Sequence, residues 1–171
     1  MNYIGYSSCD LVNGEGLRCV LWCTGCNHRC TFCQSKMSWK FSAGLYFDEI
    51  IQEKIIKDLK NPFIDGITLS GGDSMHPRNV ISLLPFVQRI KKELPDKTVW
   101  CYTGYTFEQL KENLLQSQFL SLIDILIDGK FVKELYEPDL LFRGSSQQRI
   151  IDVQKSLTTN KVCLYLDGNY K

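Results

Sequence analysis

The 171-residue chain has no surplus of either charge: 20 lysines and arginines stand against 19 acidic residues, for a net charge of +1. No block of like charges interrupts it, which argues against a basic nucleic-acid arm or a charged membrane-surface patch. No apolar run approaches the roughly 20 residues of a membrane span. The opening residues, Met1-Asn2-Tyr3-Ile4-Gly5-Tyr6, carry neither a basic start nor a long apolar stretch. They do not read as a secretion signal, so a cytoplasmic home is expected. Linkers, repeats and low-complexity tracts are missing, and no conventional set of acid, base and nucleophile stands out.

At 44% hydrophobic and 23% charged, the composition is that of an ordinary globular protein. Its length suits one domain, 1–171, with room for a real core. Leu17-Arg18-Cys19-Val20-Leu21-Trp22 reads as a buried strand. Gly66-Ile67-Thr68-Leu69-Ser70, Thr98-Val99-Trp100-Cys101-Tyr102 and Ile123-Asp124-Ile125-Leu126-Ile127 read as three more. Between them, Ile50, Ile51, Ile55, Ile56 and Leu59 recur at helical spacing after Asp48. A second helix starts at Pro77 and must accommodate Pro85. A third opens on Thr106-x-x-Gln109, a capping box, and runs through about Leu115. A late strand is expected over Val162-Cys163-Leu164-Tyr165-Leu166. Strand-then-helix repetition predicts an α/β fold with a parallel sheet. The chain is too short for an eight-unit barrel of about 250 residues, so a partial barrel or an open sheet fits.

Five of the eight cysteines crowd between Cys19 and Cys33. In a reducing compartment such crowding points to metal rather than disulfides. Cys26, Cys30 and Cys33 have the spacing C-x3-C-x2-C, in which three thiolates can hold three irons of a four-iron cluster and leave the fourth open. The same positions would share one face of a helix, yet Gly25, Asn27, Thr31 and Gln34 are poor helix material. Cys23 adds a second reading, two C-x-x-C pairs forming a zinc site, although zinc ribbons separate such pairs by about 15–20 residues. A third is an electron carrier with four cysteine ligands on one cluster. Cys23 also reads as a small core residue, as do Cys19, Cys101 and Cys163. His28 reads either as a donor to a cluster sulfur or as a solvent-facing loop residue. Ser70-Gly71-Gly72-Asp73 follows the second strand. Its glycines permit a close ligand approach, and its carboxylate can accept from a ligand ammonium. The loops after all four strands fall on one face, where such folds bind ligands.

The cysteine motif, with Phe32 before the last cysteine, resembles the radical S-adenosylmethionine superfamily. The lead-in Asn13-Gly14-Glu15-Gly16-Leu17-Arg18 is similar to that of the glycyl-radical activating enzymes. Ser70-Gly71-Gly72-Asp73, Trp100-Cys101-Tyr102-Thr103-Gly104-Tyr105, Leu126-Ile127-Asp128-Gly129-Lys130-Phe131 and Arg143-Gly144-Ser145-Ser146 narrow it to the branch serving anaerobic ribonucleotide reductase. The resemblance covers about residues 1–149 and leaves 150–171 as an extension. Departures are Trp22 for a usual phenylalanine, Ser35 for asparagine, Ser74 for proline, and Asp73 for the glutamate of the wider superfamily.

The resemblance implies a truncated parallel β/α barrel of the radical S-adenosylmethionine type. It implies a [4Fe-4S] cluster on Cys26, Cys30 and Cys33, with S-adenosyl-L-methionine on the fourth iron. Phe32 and Gln34 would lie by the adenine, and Gly71, Gly72 and Asp73 would hold the methionine ammonium end. The expected reaction is reductive cleavage to a 5′-deoxyadenosyl radical that makes a glycyl radical on the large subunit of anaerobic ribonucleoside-triphosphate reductase. The expected electron donor is a carrier such as flavodoxin or ferredoxin. A different target within the superfamily is the remaining alternative. Lys130, Arg143 and Arg149 are candidates for docking the partner or ordinary surface charges. Thr103, Tyr105 and Asp128 are candidates for nucleoside or partner contact, and Trp39 and Phe41 for loop packing.

Overall fold

The computed structural model describes residues 1–165. Its strands in chain order are β1 (Asn2–Asp10), β2 (Arg18–Cys23), β3 (Leu45–Tyr46), β4 (Gly66–Gly71), β5 (Thr98–Tyr102), β6 (Ile125–Asp128), β7 (Arg149–Asp152) and β8 (Cys163–Leu164). The helices are α1 (Glu49–Leu59), α2 (Pro77–Glu93), α3 (Phe107–Glu112), α4 (Leu114–Leu120) and α5 (Val153–Thr159). All eight strands form one sheet in the order β3-β1-β2-β4-β5-β6-β7-β8.

The four strands read from apolar runs are its centre, and they are parallel neighbours. The sheet as a whole is mixed, because β1 pairs antiparallel with β2 and β3, and β7 pairs antiparallel with β6 and β8. Only the linkers explain this. The seven or so residues between β1 and β2 are too few for a parallel crossover, which takes a dozen or more. The long connection from β6 to β7 contains no α-helix and returns the chain antiparallel. The segment after Arg149 thus extends the sheet. Of the late strand, Cys163–Leu164 is observed and Leu166 lies outside the described residues.

The helices follow their start and stop chemistry. Asp48 accepts from the Ile51 amide and Asn61 follows the end of α1. Pro77 sits in the first turn of α2, which continues through Pro85 to Glu93. The capping box of Thr106 and Gln109 opens α3. The helix expected through Leu115 instead ends at Glu112: Asn113 is extended, and its side chain accepts from Gln116 to start α4. Ile51, Ile55, Ile56 and Leu59 of α1 are buried, as are Val80, Leu83, Phe86, Val87 and Ile90 of α2. Ile50 faces solvent, 80% exposed, because it lies off that face of the helix.

Alternation along the strands divides the core. Cys19, Leu21, Ile67, Leu69, Val99, Cys101 and Leu126 pack with the helices in one cluster. Trp100, Ile125, Ile127 and Ile150 form a smaller cluster. Each aliphatic side chain removed from water in these clusters stabilises the fold by roughly 1.5–3 kcal/mol. Next to the smaller cluster lies Arg18, 1% exposed, with its guanidinium carbon 5.2 Å from the Trp100 ring centre.

Candidate metal centre

Cys26, Cys30 and Cys33 lie on an irregular loop between β2 and a short 3₁₀ turn over Lys36–Trp39. The alternative of a helix with three cysteines on one face is therefore not what forms. The loop is fixed by its backbone. The Gly25 amide donates to Ser38 O at 2.7 Å and the Cys26 amide to Trp39 O at 3.1 Å. From the turn after β4, the Gly72 amide donates to Cys23 O at 2.7 Å and the Asp73 amide to Gly25 O at 2.9 Å. The Asn79 side chain on α2 adds a bond to Thr24 O at 2.8 Å. Two loop residues, Arg29 and Phe32, hold left-handed φ of 49° and 61°. Non-glycine residues adopt this region at a cost of about 1–3 kcal/mol, a form of strain that clusters at functional sites.

The three cysteines line a cleft at the carboxyl ends of the strands, with an empty volume of about 880 Å³ that includes its open mouth. Gln34, Gly71 and Gly72 line it too, as do His28, Trp39, Thr103, Gly104 and Lys130. Six of the eight expected site residues thus share one cavity. The Gly-Gly turn is tight for a reason that the motif alone does not give. A Cβ at Gly72 would stand 2.8 Å from Gly25 O, so the turn admits the cysteine loop's backbone.

The other two expected residues lie off the cavity wall. Phe32 is 56% exposed, and the Lys133 ammonium sits 3.5 Å from its ring centre. Asp73 is 1% exposed and stands behind the wall. Its Oδ1 accepts from the Met75 amide and the Thr103 hydroxyl, both at 2.9 Å. Its Oδ2 accepts from the Gly104 amide at 3.2 Å and from His28 Nε2 at 2.5 Å. His28 does not face solvent freely: its side chain is 11% exposed and its Nε2 is bound to Asp73. Sequence reasoning missed this pair because 45 residues separate its members.

Cys23 is set apart from the trio. It is 1% exposed, and its thiol lies 3.2 Å from Ser70 O and 3.3 Å from Ser74 Oγ. Burial pushes its thiol up to about 12, and burial also raises Cys26. Cys23 does not line the cleft that the other three cysteines share, and its thiol is engaged by Ser70 and Ser74 in the core. Among the remaining candidates, Asp128 is buried, accepts from the Phe107 amide at 2.7 Å and pairs with Arg149, which also pairs with Glu108. Asp128 and Arg149 are therefore committed to the fold. Arg143 donates to Gln148 O at 3.0 Å, and Lys130 lines the cleft.

Residues 12–151 match the family described as a 4Fe-4S single cluster domain, a span that holds all three cysteines. The anaerobic ribonucleoside-triphosphate reductase-activating protein of Pasteurella multocida is 53% identical over 152 residues, covering 88% of this chain and 96% of that protein. The chain belongs to this activating-protein family. Its relatives of the same name include one from Escherichia coli K12, 46% identical over 86% of this chain and 96% of that protein. Another is from Enterobacteria phage T4, 38% identical over 88% of this chain and 93% of that protein. Family membership gives the chain a 4Fe-4S single cluster domain over residues 12–151. No helix among the described residues is long and apolar enough to cross a membrane.

Proposed function

We propose that this chain is a cytoplasmic activase of the radical S-adenosylmethionine class, acting on the large subunit of an anaerobic ribonucleoside-triphosphate reductase. The observation that carries the reading is the placing of Cys26, Cys30 and Cys33 together on one cleft, with Cys23 turned into the core. Three thiols and no fourth suit a [4Fe-4S] cluster with one open iron better than a closed four-cysteine zinc site or electron carrier. The cleft has a further mark of fit. Trp39 lines it, and its indole N–H is buried with no acceptor among the described residues. Buried donors are nearly always paired, so an acceptor supplied by a bound group is what this one lacks.

Cys26, Cys30 and Cys33 would hold the cluster, and Gln34, Gly71 and Gly72 would bound the space for S-adenosylmethionine. Phe32 and Asp73 would act from outside that space, Phe32 at the loop's outer face and Asp73 from behind its wall. When bound, the cluster and its cofactor supply reductive cleavage of the sulfonium and a 5′-deoxyadenosyl radical for the glycine of the reductase. The protein's own task is to hold these groups and keep stray donors away. We read the mixed sheet as a truncated β/α barrel of the radical S-adenosylmethionine type. Its open mouth leaves room for a loop of a protein substrate. A one-electron carrier such as flavodoxin or ferredoxin would reduce the cluster.

The test is anaerobic incubation of the reconstituted protein with S-adenosylmethionine, reductant and reductase. Methionine, 5′-deoxyadenosine and a glycyl radical signal in electron paramagnetic resonance are the expected products. Cofactor cleavage without the glycyl signal would defeat the choice of partner. No cleavage would defeat the reading as a whole.

A further inference from the structure

The histidine between two proposed cluster ligands, and the buried carboxylate it touches, form a unit whose way of acting the proposed chemistry leaves open. A carboxylate offers about four lone-pair sites. Those of Asp73 are filled from three places: the Met75 amide just after it, Thr103 and Gly104 after β5, and His28 in the cysteine loop. None remains for a ligand ammonium, and Asp73 does not reach the cleft surface. His28 does reach it. Its ring lies edge-on to Tyr105, with centres 4.6 Å apart, and packs on Gly104, where a Cβ would stand 2.4 Å from its Cδ2. The slot is built for this ring, and only a residue without a side chain leaves it open.

We propose that His28 is a positioning residue, the group through which Asp73 acts on the cleft. By donating Nε2–H to Asp73, it clamps the Cys26–Cys30 segment to the ends of β4 and β5. Asp73 then acts by holding the loop and does not touch the cofactor. The effect on the cofactor rests on the S-adenosylmethionine reading, whereas the clamp itself is a property of the apoprotein.

Two arms test this. In the apoprotein, His28→Ala and Asp73→Asn should each raise hydrogen exchange at the Gly104 amide and across residues 27–30 by about tenfold. The double variant should exchange no faster than either single one, because the two residues act as one unit. Gly104→Ala should reproduce the effect by expelling the ring, and His28→Gln, which keeps an N–H, should largely restore protection. In the reconstituted protein, His28→Ala should weaken S-adenosylmethionine binding by about tenfold, the scale of outer-shell substitutions, with iron retained. His28→Gln should recover most of that loss, and Asp73→Asn should match His28→Ala without adding to it. Unchanged exchange in His28→Ala would overturn the proposal. So would an Asp73→Asn protein that loses the cofactor while His28→Ala binds it normally, since Asp73 would then be a direct ligand. A wild-type protein that binds no S-adenosylmethionine would defeat the functional reading and leave the exchange arm to decide the clamp.

Discussion

Of the buried charged side chains at the two ends of the central strands, Arg18 at one end and Asp73 at the other are used differently. At the start of β2, Arg18 spends all five N–H groups on Thr68 Oγ1, Glu15 O, Thr98 Oγ1, Ile67 O and Thr98 O. Most of these partners lie on neighbouring strands that the sheet already fixes. Tyr165 stacks edge-on against Trp100 at 5.6 Å and hydrogen-bonds Glu15, closing that end. Beyond the other end, Asp73 is equally saturated, but its partners come from separate loops. One charge braces a closed base. The other joins the separate loops of an open cleft. Saturation thus confers rigidity at both ends, and only the kind of partner decides whether that rigidity serves the fold or the site.

The contrast can be broken first at Arg18. Burial pulls its guanidinium down to about 10 against the opposing pull of Asp65 and Asp124, and its direct contacts among the described residues are neutral acceptors and the Trp100 face. Arg18→Met would orphan several buried carbonyl and hydroxyl acceptors. It should cost the apoprotein about 3–5 kcal/mol, read as a fall in urea midpoint. A loss under about 1 kcal/mol would mean that the base is not organised around this residue.

Cysteines sharpen the contrast next. Cys23→Ala removes a small core group and should cost about 1–2 kcal/mol while leaving iron content intact. Cys30→Ala should abolish the cluster yet change apoprotein stability by less than about 1 kcal/mol, because Cys30 is only partly buried. Iron analysis and chemical denaturation together check both. Alkylation of the apoprotein should follow the same division. Cys26, Cys30 and Cys33 should react in the native state, and Cys23 and Cys101, whose thiols burial pushes up, only on unfolding. Native-state modification of Cys23 would place it in the cleft after all.

The smallest expected effect lies at the rim. Arg149 holds the Glu108 carboxyl down to about 2. A lowered acid pKa contributes stability above the ordinary carboxylate range and loses it as pH falls through the folded value. Glu108 is exposed, so solvent screening limits the contribution to less than about 1 kcal/mol. Glu108→Gln should therefore flatten the stability profile slightly between about pH 4.5 and 2. A larger change would show that the Asp128–Arg149–Glu108 network supports the cleft rather than its edge.

Much of the centre was legible because its signals are local. The short stretches Cys19–Leu21 and Ile67–Leu69, rich in β-branched and apolar residues, favour buried strands over helices, and Thr106 with Gln109 marks a helix start within four residues. β1 was not legible: Asn2–Asp10 mixes polar, aromatic and glycine residues without alternation, and its strand character comes from pairing with β2. The four residues of β7 are too short to show a period. In the site, spacing alone brought out the three cysteines, since their chemistry depends on distance along the chain. The Asp73–His28 contact, the orphaned Trp39 indole and the burial of Cys23 depend on distances across the chain, which no motif encodes.

The open coordination site remains the claim on which the chemistry stands. Its most direct measurement is the electron paramagnetic resonance spectrum of the reduced, anaerobically reconstituted Cys23→Ala protein, recorded with and without S-adenosylmethionine. The account predicts a four-iron cluster signal that persists in this variant and changes shape when the cofactor is added. Loss of the cluster with Cys23, or a signal indifferent to the cofactor, would contradict it.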